Sequence, residues 1–290
     1  MEWFWLALAC AFSLATADAL TKKYLSDYTA PELALVRFVG TGLVLSPLLL
    51  WQPPPPLPGV AWGWIALAVP LEILAMLLYM RAIRDSPLAL TLPYLAFTPA
   101  LTTLTAYLIL GEQVSAGKLG GILLVVAGAW LLNLETGPGR HRRDWLAPLR
   151  AIGREPGSRL MLLVAIIYSL TSVVGKKLLV FIPVMTFGPL YYVLVGSLAL
   201  ALFSFRQPRI GQVLWRRPGP QLLIATLLSA MVITHYLAIS RVEAAYMIAV
   251  KRTSLLFGIG YGALWFGEKK LFQHLLAGAL LLLGLVLLAL

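Results

Sequence analysis

The sequence predicts an all-α membrane protein with ten transmembrane helices in two inverted five-helix repeats. Three observations carry that prediction. The 290 residues are 60% hydrophobic and 12% charged, where a soluble domain is about a quarter charged, and the mean hydropathy is +0.86. The apolar residues fall into about ten spans of roughly twenty residues, the length that crosses a bilayer as a helix. Segments of the second half also repeat segments of the first, in the same order. No stretch is polar enough for a separate soluble domain. In lipid each span must satisfy its own backbone polar groups, so the spans are helices.

The first span runs from about Trp3 to Thr21 and ends near Asp18 and Lys22-Lys23. It lacks a basic start and a cleavage site leading into soluble sequence, so it reads as a helix, not a signal peptide. The second is about Pro31 to Trp51, opened by Pro31 and Glu32, which suit a helix start, and it contains Arg37. The Pro-rich segment from Gln52 to Gly59 cannot continue a helix. The third span, about Val60 to Ile83, holds Pro70 and Glu72, and the fourth, about Leu88 to Leu110, is interrupted by Pro93 and Pro99. The fifth is about Ala116 to Leu134.

Residues 135–159 form a basic polar linker between a first repeat, 1–134, and a second, 160–290, with a short surface helix expected around Trp145 to Ile152. The sixth span is about Leu160 to Leu179 and the seventh about Val184 to Phe205. The eighth is about Gln221 to Ile239, the ninth Ala244 to Glu268, and the tenth Leu271 to Leu290.

The repeat rests on more than composition. Gly111-Glu112 and Gly267-Glu268 each close a span, at an offset of 268 − 112 = 156. At that offset Leu119, Leu124, Gly128, Leu131 and Leu132 meet Leu275, Leu280, Gly284, Leu287 and Leu288. Ser13 to Leu25 (SLATADALTKKYL) matches Ser169 to Val180 (SLTSVVGKKLLV), and Tyr79 to Arg84 matches Tyr236 to Arg241. An odd number of helices per repeat inverts the second copy, an architecture of secondary transporters with a midplane site between repeats.

These residues resemble the drug/metabolite transporter superfamily, specifically its EamA-type transporters. The resemblance is carried by the five-helix duplication, the Gly-Glu pairs after the fourth and ninth spans, Pro99, Arg37, and the run VKRTSLLFGIGYGALWFGE together with DALTKK. It covers the chain outside the central linker. It implies a ten-helix basket with a central cavity, alternating access, and movement of small metabolites such as amino acids. The second half departs from the first. Tyr191-Tyr192 stand where the second span has Arg37, and Lys251-Arg252 stand where the fourth is apolar. Loops after odd-numbered spans carry most of the Lys and Arg, which the positive-inside rule places in the cytoplasm with both termini outside. The resemblance implies both termini inside, so the two expectations oppose each other.

Candidate site residues follow from the cost of charge in hydrocarbon. Glu72 is too deep to snorkel and suits a substrate ammonium or a coupling proton; its structural reading is a bond across helices. Lys251 and Arg252 project about 100° apart and suit a carboxylate or phosphate, with an ion pair to Glu72 as the structural account. Arg37 lies near enough to a helix end to snorkel, and the resemblance adds a gating or substrate role. Asp18 shares a helical face with Ser13 and Thr16. His235 carries an imidazole, which ordinarily titrates near neutrality, and Tyr191 stands for a pocket lining; packing is the structural reading for both.

Other function classes find little in the sequence. Cys10 is the single cysteine, and His141, His235 and His274 lack ligand spacing, so no metal or other cofactor is expected. There is no His-Glu-x-x-His, Gly-x-Ser-x-Gly or P-loop, and the HRRD at His141 to Asp144 is too weak to count. A net charge of +11 reads here as loop orientation and lipid headgroup contact, not nucleic-acid binding. The expected function is a secondary transporter, by resemblance an exporter, of an amino acid or organic anion in a bacterial inner membrane. Its expected partners are the solute, membrane lipids, and coupling protons or counter-flowing substrate. The alternatives are a flippase for a lipid-linked polar headgroup and a membrane-embedded enzyme or scaffold.

Overall fold

The computed structural model describes residues 2–85, 92–134, 156–266 and 275–289. Gly267-Glu268, most of the basic linker with its expected surface helix and HRRD run, and two histidines, His141 and His274, lie outside them. Among the described residues the chain is all-helical: α1 Glu2–Tyr24, α2 Ala30–Leu45, α3 Pro47–Trp51, α4 Gly59–Asp85, α5 Thr98–Leu110, α6 Ala116–Leu134, α7 Pro156–Leu178, α8 Val184–Arg206, α9 Pro218–Ile239, α10 Ala244–Lys251, α11 Ser254–Phe266 and α12 Leu275–Ala289. Leu92–Phe97 and Ile210–Trp215 form 3-10 segments. Six of these stretches are long and apolar enough to span a membrane: α1, α2 with α3, α4, α7, α8 and α9. Shorter apolar helices accompany them.

Local chemistry explains most boundaries. The Glu32 carboxylate accepts the Thr29 N–H at 2.7 Å and the Thr29 hydroxyl at 2.9 Å, closing a capping box at the start of α2. Gly111, at φ 71°, ends α5 in the left-handed conformation that glycine adopts without a Cβ clash. Pro70 and Pro189 lie inside α4 and α8 without ending them. α7 begins at Pro156, so residues 156–159, expected in the linker, belong to that helix.

Two expected spans are discontinuous. The described part of the fourth, from Leu92, is a 3-10 segment that becomes α5 only at Thr98, with Pro99 in the first turn, where its missing N–H costs no bond. The ninth, expected as one helix, breaks at Arg252-Thr253. There the backbone tightens, with Arg252 N–H on Ala249 O and Thr253 N–H on Val250 O. Each break is stitched by a threonine hydroxyl to the carbonyl three residues back: Thr98 to Leu95 at 2.7 Å and Thr253 to Val250 at 2.8 Å.

The principal helix contacts join the first half of the sequence to the second. α1 packs on α9 and α11, α2 on α8, α4 and α5 on α7, and α6 on α12. Glycines stand at the closest of these contacts, as expected where lipid supplies no hydrophobic drive between helices. A Cβ on Gly42 would stand 2.9 Å from the Tyr192 carbonyl oxygen, and one on Gly284 2.7 Å from the Gly121 oxygen. Large apolar side chains, among them Leu108, Phe205 and Leu264, point outward.

Polar contacts define the two ends of the bundle. At one, Glu2 meets Arg241 and Glu112 meets Lys176. At the other, Arg216 and Arg217 meet Asp27 and Glu32, and both guanidinium groups lie over the Tyr28 ring.

Candidate functional site

Four helices bring charge into the bundle interior. Glu72 lies midway along α4, thirteen residues from either end (72 − 59 = 85 − 72 = 13), or about 20 Å at helical rise. Thr171 of α7 lies near its carboxylate. Four tyrosines, Tyr168, Tyr191, Tyr192 and Tyr236, lie within electrostatic range of that carboxylate. Phe187 lies edge to face with Tyr236 at 4.8 Å between centroids and tilted against Tyr191 at 5.5 Å. Glu72, Tyr168 and Tyr192 are half-buried.

Arg37 does not snorkel. Its guanidinium is buried and donates to Asp18 Oδ1 at 2.6 Å, tying α2 to α1. The expected face shared by Ser13, Thr16 and Asp18 is divided: Thr16 bonds Tyr261 of α11 at 2.6 Å, while Asp18 serves Arg37.

Lys251 ends α10, about 10 Å in from Ala244. Its ammonium sits 3.5 Å from His235 Nδ1 and 3.6 Å from Met231 Sδ, and Glu72 lies within electrostatic range without forming an ion pair. His235 itself is buried, with its ring 4.9 Å from that of Tyr236. Arg252 follows at the break and is only 8% exposed. Its electrostatic neighbours are Tyr79, Tyr168 and Cys10, and its Nε has no hydrogen-bond partner.

The magnitudes favour a polar site over mere accommodation. Cations at the C-terminus of α10 gain at most about 2 kcal/mol from the helix dipole. An unpaired buried ion costs several kcal/mol. Among the described residues, the other fully buried side-chain polar atoms without partners are Arg37 Nε, Thr41 Oγ1 and the Tyr191 hydroxyl. Thr41 lies one turn from Arg37 on α2, so the two share a face.

Thus Glu72, Lys251, Arg252 and His235 lie around one interior, with Tyr191 beside Glu72, and the Asp18–Arg37 pair reaches the same group through Tyr79 and Tyr168. Sequence reasoning missed Thr171, Tyr79 and Tyr168. Tyr168 was findable, since it immediately precedes Ser169-Leu170-Thr171, a stretch already matched in the repeat. No group of His, Cys, Asp and Glu among the described residues has the arrangement to hold a metal.

Comparison with known proteins adds sequence evidence. The model of the EamA-like transporter family matches residues 1–134 and 156–290. A Sinorhizobium protein named "Uncharacterized transporter in cobO 3'region" is 27% identical over 133 residues, 44% of this chain and 94% of its own. A Pectobacterium atrosepticum protein named "Probable 4-amino-4-deoxy-L-arabinose-phosphoundecaprenol flippase subunit ArnE" is 34% identical over 76 residues, 26% of this chain and 67% of its own. The Serratia proteamaculans protein of the same name is 33% identical over 88 residues, 30% of this chain and 76% of its own. A solved crystal structure aligns with 100% of this chain and 99% of its own at a TM-score of 0.75 and 16% identity, a likeness of fold.

Proposed function

The chain belongs to the EamA-like transporter family, and on that basis we propose that it is a secondary transporter, an exporter of a small polar metabolite, working by alternating access. The observation that carries this reading is the pair of helix breaks. α5 begins at Thr98 and α11 at Ser254, and 254 − 98 = 156 is the offset of the sequence repeat. Interrupted helices at matching positions of two halves are the arrangement in which transporters build midplane sites. Lys251 and Arg252 stand at the second break, and Glu72 lies within electrostatic range of Lys251.

The helix pairings support ten spans in two inverted repeats, 1–134 and 160–290. Exchanging the halves turns the α1–α9 contact into α7–α4, and the α5–α7 contact into α11–α1. It leaves α2–α8 and α6–α12 unchanged. That is the behaviour of a twofold axis between five-helix units. The Arg216 and Arg217 end carries most of the loop cations and faces the cytoplasm of a bacterial inner membrane in this reading. Protection of a tag on Leu290 from external protease in sealed cells overturns that orientation.

Energy comes from an ion or solute gradient, with Glu72 the group suited to carry a coupling proton or a substrate ammonium. Proteoliposomes loaded with labelled amino acids and organic anions test the function. Flux above protein-free vesicles, changed by an imposed pH step or by external substrate, supports it; background flux for every solute refutes it. A second reading, transfer of a lipid-linked polar headgroup, is favoured by the names of the flippase-subunit relatives. Flip of a fluorescent lipid phosphate without soluble flux would select it.

A further inference from the structure

The described ionic groups of the interior do not balance. Arg37 has Asp18 at 2.6 Å, Lys176 has Glu112, and Lys251 has Glu72 within range. Arg252 has no carboxylate among its electrostatic neighbours, which are two tyrosines and a cysteine. Its Nε is fully buried without an acceptor. No hydrogen bond or ion pair to a described residue engages its terminal nitrogens either. Arg252, more than nine-tenths buried as a residue, therefore has no described carboxylate to match its charge.

Its position is not an accident of helix packing. Arg252 stands at the break, where Thr253 bonds Val250 O and the chain restarts as α11 at Ser254. The freed carbonyl is taken by Thr253, so the guanidinium is not needed to cap α10. Tyr79 and Tyr168 lie within electrostatic range of Arg252 and also of Arg37, so two phenols share the interior with the unmatched cation. A planar fork of donors suits a carboxylate or a phosphate.

We propose that Arg252 is the receptor for an anionic group on the transported molecule, and that this molecule carries one more negative than positive charge. The inference rests on the transport reading above and assigns its substrate class. Lys251, held by His235 and facing Glu72, positions the break and does not receive the anion. The shared chemistry is a carboxylate or phosphate, borne by a free solute or by a lipid.

Thermal unfolding of the purified full chain in dodecyl maltoside tests this without knowing the substrate. Without added anion, Arg252→Met melts higher than wild type, since it removes an unpaired buried charge; Arg37→Met melts lower, since it strands Asp18. Lactate, inorganic phosphate and dodecyl phosphate are then added in turn, with lactamide as the uncharged control. At least one anion raises the wild-type melting temperature in a dose-dependent way, lactamide does not, and Arg252→Met and Arg252→Gln lose the shift. Response to dodecyl phosphate alone assigns the anion to a lipid headgroup; response to lactate or phosphate assigns it to a free solute. A lower melting temperature for both Arg252 variants, or no wild-type response to any anion, overturns the proposal. Failure here with measurable flux of a neutral or cationic solute leaves the transporter reading standing; absence of all flux removes that reading instead.

Discussion

Glu112, in the loop after α5, accepts the backbone N–H of Ala244, the first residue of α10, at 2.9 Å. The same carboxylate pairs with Lys176 at the end of α7, and Lys176 in turn donates to Val242 O at 2.5 Å. One side chain from the Gly-Glu pair thus holds the buried half-helix that leads to Lys251 and Arg252. Replacing Glu112 by Ala should cost about 3 kcal/mol, as for breaking a largely buried ion pair. Glu112→Gln keeps an acceptor for Ala244 and should cost about 1–2 kcal/mol. Detergent unfolding measures both, and hydrogen exchange at residues 244–246 should rise in the same order.

Asp18→Asn strands a buried guanidinium. Full burial of both partners would predict about 3–5 kcal/mol. The Asp18 side chain is 37% exposed, so water recovers part of this and about 2 kcal/mol is expected. The double variant Asp18→Asn with Arg37→Met should be more stable than Asp18→Asn alone. An additive double-mutant cycle would show that the two residues do not depend on each other.

Helix contacts make a steric prediction. Gly284→Ala places a methyl 2.7 Å from the Gly121 oxygen and 2.9 Å from Val125 atoms, so α6 and α12 must separate. A loss of about 1–3 kcal/mol is expected, the usual cost of overpacking. Gly63→Ala meets nothing within 4 Å and should gain up to about 1 kcal/mol of helix propensity. Melting curves for the pair should move in opposite directions.

Transport should depend on the centre of α4 and the end of α10. Glu72→Gln removes the charge within electrostatic range of Lys251, and Lys251→Ala removes the cation beside His235. Each should lower flux at least about tenfold, which corresponds to roughly 1.4 kcal/mol. Unchanged flux in both would remove these residues from the site.

If Arg252 awaits an anion, the empty carrier should reorient poorly, because its buried charge stays unmatched. Efflux of a transported anion from proteoliposomes should then be faster with the same anion outside than into buffer alone. Arg252→Gln should abolish that acceleration.

Particular residues show how far the sequence could be read. Glu72 and the Lys251-Arg252 pair were visible because charge in a long apolar span is costly wherever the span packs. Arg37 was read as able to snorkel because depth was counted along its own helix; its partner lies on α1. The ninth span looked continuous because Thr253 and Ser254 are compatible with helix. The break depends on the turn at Arg252 and the Thr253 bond to Val250, which composition does not reveal. Tyr79 and Tyr168 were passed over because isolated tyrosines in apolar spans usually pack or mark an interface.

The sequence by itself determined membership of the membrane class, the order of the apolar spans and the repeat offset, since hydropathy and spacing are local properties that lipid enforces segment by segment. Only the tertiary structure decided which ions are matched. Coulomb partners are set by packing: Asp18 reaches Arg37 across 19 positions and Glu112 reaches Ala244 across 132. Arg252 is left with tyrosines for neighbours.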